Sequence, residues 1–242
     1  MERALAYVEA FRASSGQRLT VTHLVAKAAA DALRRYPEAN VILRWNRPWL
    51  RKRVGVCVLV VQPHHNGRVD LTTATVHDAD QLSLHGFAAA MEERVQSVRH
   101  RRDAVIERGK RRSYRIPGLF MNAALDLLSF VWFTLNVDLA WVGMPRDPFG
   151  SVAVSNVGSL GLERAWLAMV PYTRVVLYLA PGAVRDAPVL EGDTLVPGKV
   201  MTLSCTFDAR LIDDELASRV LRHIGDALED PESTWGPPAP TR

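Results

Sequence analysis

The order of helical and extended patterns along the chain constrains its fold most. Apolar side chains recur at helical spacing over residues 3–13 and 20–35, so two amphipathic helices open the sequence, and Thr20 or Thr22 is suited to cap the second. Extended runs rich in Val, Ile and Leu follow at 40–45, 54–62 and 69–76. The last two runs are predicted to pair as a hairpin, because a turn-forming stretch with Asn and Gly lies between them.

The second half of the chain repeats this mixture of patterns. A long amphipathic helix is predicted from residue 81 to about 109, and a final helix from 213 to 229. Four short extended runs lie between them, at 151–155, 175–179, 189–196 and 201–207. The pattern therefore predicts a domain that combines several helices with short strands.

Length and composition favour one domain over residues 1–230. A chain of 242 residues that is 48% hydrophobic can bury one sizeable core. Residues 231–242 contain four prolines and are predicted to be a disordered tail. The N-terminus lacks the pattern of a secretory signal peptide, so we expect a cytoplasmic location. Cys57 and Cys205 lie in apolar runs without metal-ligand spacing, which predicts buried free thiols and no metal site.

Positive charge is concentrated in two stretches, residues 99–115 and 44–53. Each is interpreted either as a solvated surface or as a contact for an anionic surface or a phosphorylated ligand. No helix-turn-helix, zinc-ligand or aromatic RNA-binding pattern accompanies the charge, so nucleic acid is not an expected partner.

Residues 116–142 are the most ambiguous part of the sequence. They are rich in Leu, Phe, Trp and Val, but Asn122, Asp126, Asn136 and Asp138 interrupt them. The longest uncharged stretch, 127–137, is too short for a membrane span, which needs about 20 apolar residues. We predict a buried or interface helix. The alternative is an amphipathic segment on an anionic membrane surface, which the preceding basic run favours and which would make the protein peripheral to the membrane.

The run Thr206-Phe-Asp-Ala-Arg-Leu-Ile-Asp-Asp214 carries the strongest motif. It resembles the active-site signature Asp-His-Arg-x-x-Asp-Gly of the 2-oxoacid dehydrogenase acyltransferases, with Ala209 in place of the histidine. Further stretches resemble this family in the same order along the chain, at residues 19–28, 37–40, 54–58, 78–84, 155–161 and 200–204.

The resemblance implies an α/β fold of the α+β two-layer sandwich type, like that of chloramphenicol acetyltransferase, in which a mixed sheet is flanked by helices. It also implies a homotrimer or a larger assembly built from trimers, with active sites between subunits. In that family a histidine accepts the thiol proton of coenzyme A or dihydrolipoamide, and a serine stabilises the oxyanion. By position Ser155 matches the serine. Arg210 and Asp213 match the conserved residues of the signature, and Asp213 is expected to hold the loop through an ion pair.

The resemblance also assigns Asn156 and Gly158, in the glycine-rich turn, to cofactor binding. Ser155 keeps a second interpretation there, because a serine before Asn and Gly is common in turns.

Two departures from the family bear on activity, and two more concern architecture. Ala209 has no proton acceptor, and losing a general base typically costs about 10²–10⁴ in rate. Asp214 stands where the family has glycine, which adds a side chain and a negative charge. The sequence shows neither a lipoyl nor a subunit-binding domain, and it begins after the arm that normally opens the catalytic domain. Seven histidines are present, and the spacing of none supports a substitute base.

Three functions are therefore weighed. The leading hypothesis is an acyltransferase-like protein, catalytically impaired, that acts as a trimeric scaffold or binds coenzyme A or an acyl thioester. The alternatives are an active acyltransferase with a substitute base, and an oligomer that associates with a membrane surface.

Overall fold

A mixed five-stranded sheet forms the centre of the fold. The computed structural model of the chain describes residues 1–63, 69–100, 117–137 and 147–238. Its strands are β1 (Val41–Arg44), β2 (Arg47–Leu50), β3 (Gly55–Pro63), β4 (Val69–His77), β5 (Val152–Val154), β6 (Leu177–Pro181), β7 (Arg185–Glu191), β8 (Thr194–Val200) and β9 (Leu203–Phe207). Its α-helices are α1 (Glu2–Ser15), α2 (Val21–Arg35), α3 (Leu84–Arg99), α4 (Gly118–Ser129), α5 (Asp214–Glu229) and α6 (Pro231–Trp235).

The central sheet has the strand order β4-β3-β5-β6-β9. β5 lies parallel to both β3 and β6, whereas β4 and β9 run antiparallel to their neighbours and form the two edges. β1 and β2 form a separate hairpin, as do β7 and β8. In this topology, β5 and β9 end at opposite ends of the sheet.

The core lies between one face of the sheet and helices α1, α2, α3 and α5. α2 is the central helix, with ten of its fifteen residues buried. Its alanines let the helix approach the sheet, and Val56, Val154 and Leu179 meet it from the strands. The opposite face is covered by the loop before β6, where Leu167 and Met169 pack near Tyr178. The predicted mixed sheet flanked by helices is thus confirmed.

Local signals in the sequence explain several element boundaries. The Thr20 side chain accepts a hydrogen bond from the backbone N–H of His23 at 3.3 Å, so Thr20 is the cap of α2. Ser83 caps α3 in the same way, and α3 ends at Arg99, whereas the prediction continued to about 109. The rest of that predicted helix lies outside the described residues. The β7–β8 hairpin turns at Gly192 and Asp193, as predicted.

The predicted disordered tail needs correction for residues 231–238. Pro231–Trp235 form α6, capped by Asp230. The indole N–H of Trp235 donates to Asp31 at 2.9 Å, and the Tyr7 hydroxyl donates to the carbonyl of Gly236 at 3.1 Å. These contacts tie the segment to α2 and α1, which a count of prolines could not indicate.

α4 is apolar in sequence and yet exposed in the fold. Among its residues only Ser129 is buried. The π-helical turn Phe130–Thr134 continues it and buries Phe133 and Thr134. Most of α4 is therefore not a buried helix within one copy, and the other alternative, an interface helix, stays a prediction. In the described part of the chain, every helix is too short or too polar to cross a bilayer.

Candidate functional site

Ser155 begins a tight turn at the carboxyl end of β5. Its backbone N–H donates to the carbonyl of Leu179 at 2.9 Å, which extends the pairing of β5 with β6 by one residue. The side chain is half-buried. Its hydroxyl has no hydrogen-bond partner within the described residues, so this O–H group remains available to a ligand.

Asn156 holds the turn together. Its Nδ2 donates to Thr22 Oγ1 at 2.7 Å, and its Oδ1 accepts from the backbone N–H of Ser159 at 3.0 Å. The first contact joins the turn to the start of α2. Both ends of the amide are thus used inside the chain, and the assignment of Asn156 to cofactor binding stays a prediction.

Gly158 lies against another glycine. A Cβ at this position would lie 2.3 Å from the carbonyl oxygen of Gly182 and 2.4 Å from its carbonyl carbon. Val157 N–H also donates to the carbonyl of Pro181 at 3.1 Å. The turn therefore needs glycine at 158 for close backbone packing, and its assignment to cofactor binding stays a prediction as well.

The segment Asp208–Asp213, called the signature loop below, is held by Asp208. The Asp208 backbone N–H donates to the carbonyl of Val176 at 3.0 Å. Nε and Nη2 of Arg210 donate to the two carboxylate oxygens of Asp208 at 2.8 and 2.6 Å. These hydrogen bonds lower the pKa of Asp208 below its ordinary value and raise that of Arg210.

Asp213 caps a helix. Its carboxylate accepts a hydrogen bond from the backbone N–H of Leu216 at 2.7 Å, so it is the N-cap of α5. Among the described residues it pairs with no cation, and the ion pair of the loop joins Asp208 to Arg210. The first turn of α5 leaves backbone N–H groups that a carboxylate satisfies at once, and the ion pair expected of Asp213 stays a prediction.

Asp214 is accommodated without backbone strain. It is the first residue of α5 and lies outside the positive-φ residues of the described chain. A carboxylate in the first helical turn is favourable because of the helix dipole. The backbone at this position therefore does not require glycine in this structure.

Ala209 is exposed at the tip of the signature loop. It lies far from Ser155 in the same chain. Ser155 N–H bonds the carbonyl of Leu179, and Asp208 N–H bonds that of Val176, three residues earlier on the same strand. β5 and β9 also flank β6 on opposite sides. The two backbones are thus separated by about 10 Å along β6 and about 10 Å across it.

A shallow groove lies beside the signature loop, between the end of β9 and α5. Its volume is about 490 Å³, and Phe207, Asp214, Ala217, Ser218, Leu221 and Arg222 line it. The lining is mainly apolar, with Arg222 as its cation. One chain therefore offers a serine at one end of the sheet and a groove at the other.

The histidines do not supply an evident substitute for the missing base. Burial lowers the pKa of His23 to about 4, and it also lowers the pKa of His77. His85 stacks on Phe11 with ring centroids 4.2 Å apart, and His223 meets the edge of Tyr36. Within the described chain, none of the histidines makes a hydrogen bond to Ser155 or to the signature loop. His64 and His65 lie outside the described residues.

The cations of the second basic stretch, residues 44–53, differ in their partners. Arg51, whose side chain is buried, forms an ion pair with half-buried Asp147, and Arg53 pairs with Asp78. Arg44 donates to the side chain of Asn136 at 2.9 Å. Arg47 and Lys52 are exposed and pair with no acid among the described residues. The stretch is therefore not one anion site, and most of the first stretch lies outside the described residues.

Cys57 and Cys205 are free thiols, as predicted. Burial raises their pKa values to about 11 and about 12, so neither is a thiolate nucleophile. Sequence reasoning missed two residues that hold the turn after β5 from other elements, Thr22 and Gly182. Their roles depend on contacts between distant segments. The pair Gly182-Ala183 directly after a strand is a weak signal for the second.

Comparisons with known proteins identify the family of the chain. The model of the 2-oxoacid dehydrogenase acyltransferase catalytic domain matches residues 1–107 and 149–235. A dihydrolipoyllysine-residue acetyltransferase component of the acetoin cleaving system of Bacillus subtilis is 24% identical over 216 residues, which is 89% of this chain and 43% of that protein. This chain thus spans less than half the length of that relative.

Two solved structures show the same fold. The cubic core of a pyruvate dehydrogenase multienzyme complex has a TM-score of 0.65 and 21% identity, covering 95% of this chain and 76% of that one. The dihydrolipoamide acetyltransferase of Azotobacter vinelandii has a TM-score of 0.64 and 22% identity, with the same coverage. In that enzyme a serine, a histidine and an asparagine were investigated for roles in catalysis.

Proposed function

The chain belongs to the family of 2-oxoacid dehydrogenase acyltransferase catalytic domains, and from this we propose that it binds coenzyme A or an acyl thioester but transfers acyl groups poorly. The observation that carries the proposal is Ala209. This methyl side chain occupies the general-base position of the signature, at the tip of a loop that is otherwise intact. Without a proton acceptor there, a thiol stays protonated and is a weak nucleophile.

The residues around Ala209 support this assignment. In the Azotobacter enzyme, the investigated histidine and asparagine stand four residues apart, as Ala209 and Asp213 do here. Asp208 and Arg210 fix the loop, and the Ser155 hydroxyl has no partner among the residues that the structure describes. A serine O–H is a suitable donor to the oxyanion that forms when a thioester is attacked. The chain thus keeps the serine that can stabilise an oxyanion and lacks the residue that would accept the thiol proton.

We also propose that the protein works as a homotrimer or a larger assembly of trimers. The separation of Ser155 from the signature loop within one chain supports this, since residues that lie at opposite ends of one sheet can meet only between copies. The likeness to a cubic core is consistent with such an assembly. In this role the protein acts as a scaffold that holds acyl thioesters rather than as an efficient catalyst.

The test compares the natural protein with the Ala209→His variant in acyl transfer from acetyl-coenzyme A to dihydrolipoamide. The expected gain in rate is about 10²–10⁴, the usual contribution of a general base. The matched control is Ala10→His, because Ala10 is an exposed alanine on α1 far from the loop. A natural protein that already turns over at the rate of the variant would contradict impairment and would require a substitute base.

A further inference from the structure

α4 and the β1–β2 hairpin together expose an unusual amount of apolar surface. Leu119 is 87% exposed, Leu127 64% and Trp45 62%. We define the apolar face by its six large exposed side chains, which are Trp45, Leu119, Phe120, Leu127, Phe130 and Leu135. Exposed apolar side chains gathered in one place mark an interaction site, whereas single ones need no explanation.

The apolar face joins the hairpin to α4. The rings of Trp45 and Phe130 meet edge to face with their centroids 5.8 Å apart, which joins the hairpin to the end of α4. Nε of Arg174 donates to Ser129 Oγ at 3.0 Å and so fixes α4 to the body of the domain. The face is therefore held in place by the fold.

Family membership does not account for this face. The family model matches residues 1–107 and 149–235, so α4 lies in the stretch between the two matched parts. α4 also differs from the other long helices in having only one ionisable residue, Asp126. A helix that is apolar around most of its circumference needs cover from something other than water.

The charges beside the apolar face indicate what kind of partner binds it. Arg47 is exposed beside Trp45 at the turn of the hairpin, and Lys52 is exposed after β2, at the other end of the hairpin. Neither pairs with an acid among the described residues. The sequence that leads into α4 adds eight cations within residues 99–115. Apolar and aromatic side chains beside unpaired Lys and Arg are the chemistry of a helix that lies on an anionic lipid surface. A protein partner with an apolar groove would not need this surplus of positive charge.

We propose that the apolar face docks on the surface of an anionic lipid bilayer. α4 has twelve residues and is about 18 Å long, which is well short of the roughly 30 Å hydrocarbon core. The helix therefore lies along the interface with Leu119, Phe120 and Leu127 in the lipid. Trp45 sits at the level of the headgroups, where indole rings are favoured. This proposal does not depend on acyl transfer, so the two can fail separately.

Co-sedimentation of the full chain with vesicles tests the proposal. The protein is expected to pellet with vesicles of equal parts phosphatidylcholine and phosphatidylglycerol, and to remain in solution with phosphatidylcholine alone. The double variant Leu119→Gln/Leu127→Gln is expected to bind the anionic vesicles roughly tenfold more weakly or worse, because two exposed leucines lose their transfer into lipid. A charge-reversed variant, Arg47→Glu/Lys52→Glu, is expected to bind the anionic vesicles more weakly, and its binding is expected to depend less on the salt concentration.

The matched control is Leu190→Gln/Leu195→Gln, since these leucines of the β7–β8 hairpin are 67% and 70% exposed and lie outside the face. All four leucines are exposed, so the variants keep the fold, and near-ultraviolet circular dichroism checks this. Equal loss of binding in both double variants would overturn the proposal, as would binding that ignores lipid charge. A third outcome would also overturn the proposal. If the natural protein stays in solution with anionic vesicles, and the Leu119→Gln/Leu127→Gln variant has a lower molar mass in solution than the natural protein, a second copy covers the face.

Discussion

The two ends of the central sheet are held by different kinds of contact. The turn after β5 is fixed by backbone packing, with Gly158 against Gly182 and the N–H of Ser155 on Leu179. The signature loop after β9 is held mainly by the side chains of two aspartates, buried Asp208 and exposed Asp213.

This difference explains how the general base can be absent from an intact fold. Ala209 is exposed, and its side chain takes no part in the hydrogen bonds of Asp208 and Asp213 that hold the loop. We therefore expect that replacing this residue changes the chemistry of the loop without removing these contacts. The turn after β5 has no such freedom, because its backbone is in direct contact with its neighbour.

The largest expected effect on stability comes from a substitution in the turn after β5. Gly158→Ala places a methyl group 2.3 Å from the Gly182 carbonyl oxygen, so the backbone must shift. We expect a loss of about 2–3 kcal/mol in the free energy of unfolding, measured by urea denaturation. Gly225→Ala is the control, because a Cβ on this α5 residue meets nothing within 4 Å. This control is expected to be stabilising by up to about 1 kcal/mol, and equal losses in both variants would contradict the packing argument.

A smaller effect is expected at the exposed end, where Asp213 caps α5. Asp213→Ala should lower the free energy of unfolding by about 1 kcal/mol, because the N–H of Leu216 loses its acceptor. Asp213→Asn keeps an acceptor oxygen and should cost little. If Asn were as destabilising as Ala, the charge of Asp213 would matter more than its capping, and the originally expected ion pair would be favoured.

The smallest effect concerns the Asp208–Arg210 pair and depends on pH. Since the folded-state pKa of Asp208 is lowered from 3.8, its contribution is complete above that value and is lost as the pH falls through the lower folded pKa. Arg210 is 71% exposed, so the pair stabilises by about 1 kcal/mol or less. Asp208→Asn should therefore lower the melting temperature slightly at pH 7.

The melting temperatures of the natural protein and of Asp208→Asn should converge when the pH is well below 3.8. A difference that stays constant across this range would show that the carboxylate charge does not stabilise the loop. Arg210→Ala should show the same convergence, since it removes the other partner of the pair.

The sequence predicted those features that depend on neighbouring residues. The cap of α2 by Thr20 and the turn of the β7–β8 hairpin follow from local side-chain and turn chemistry, and both are present. The antiparallel course of β9 cannot be read from its apolar pattern, although it places the signature loop away from Ser155. β2 was not predicted, because its four residues are exposed and include a proline.

Two further differences arise from tertiary contacts. α6 is stabilised by contacts of Trp235 with Asp31 and of Tyr7 with Gly236, residues more than 200 positions apart. The exposure of α4 could not be predicted either, because an apolar pattern shows that a helix needs cover and does not show where the cover comes from.

The most direct test of the central claim asks whether Ser155 of one copy acts with residue 209 of another. The natural chain keeps Ser155 and lacks the base, whereas the double variant Ala209→His/Ser155→Ala has the reverse defect. Each alone is expected to show only background acyl transfer, and co-expression in mixed assemblies is expected to restore turnover. If the mixture stays at background while the Ala209→His single variant is active, or if the double variant is active alone, the proposed site between copies is contradicted.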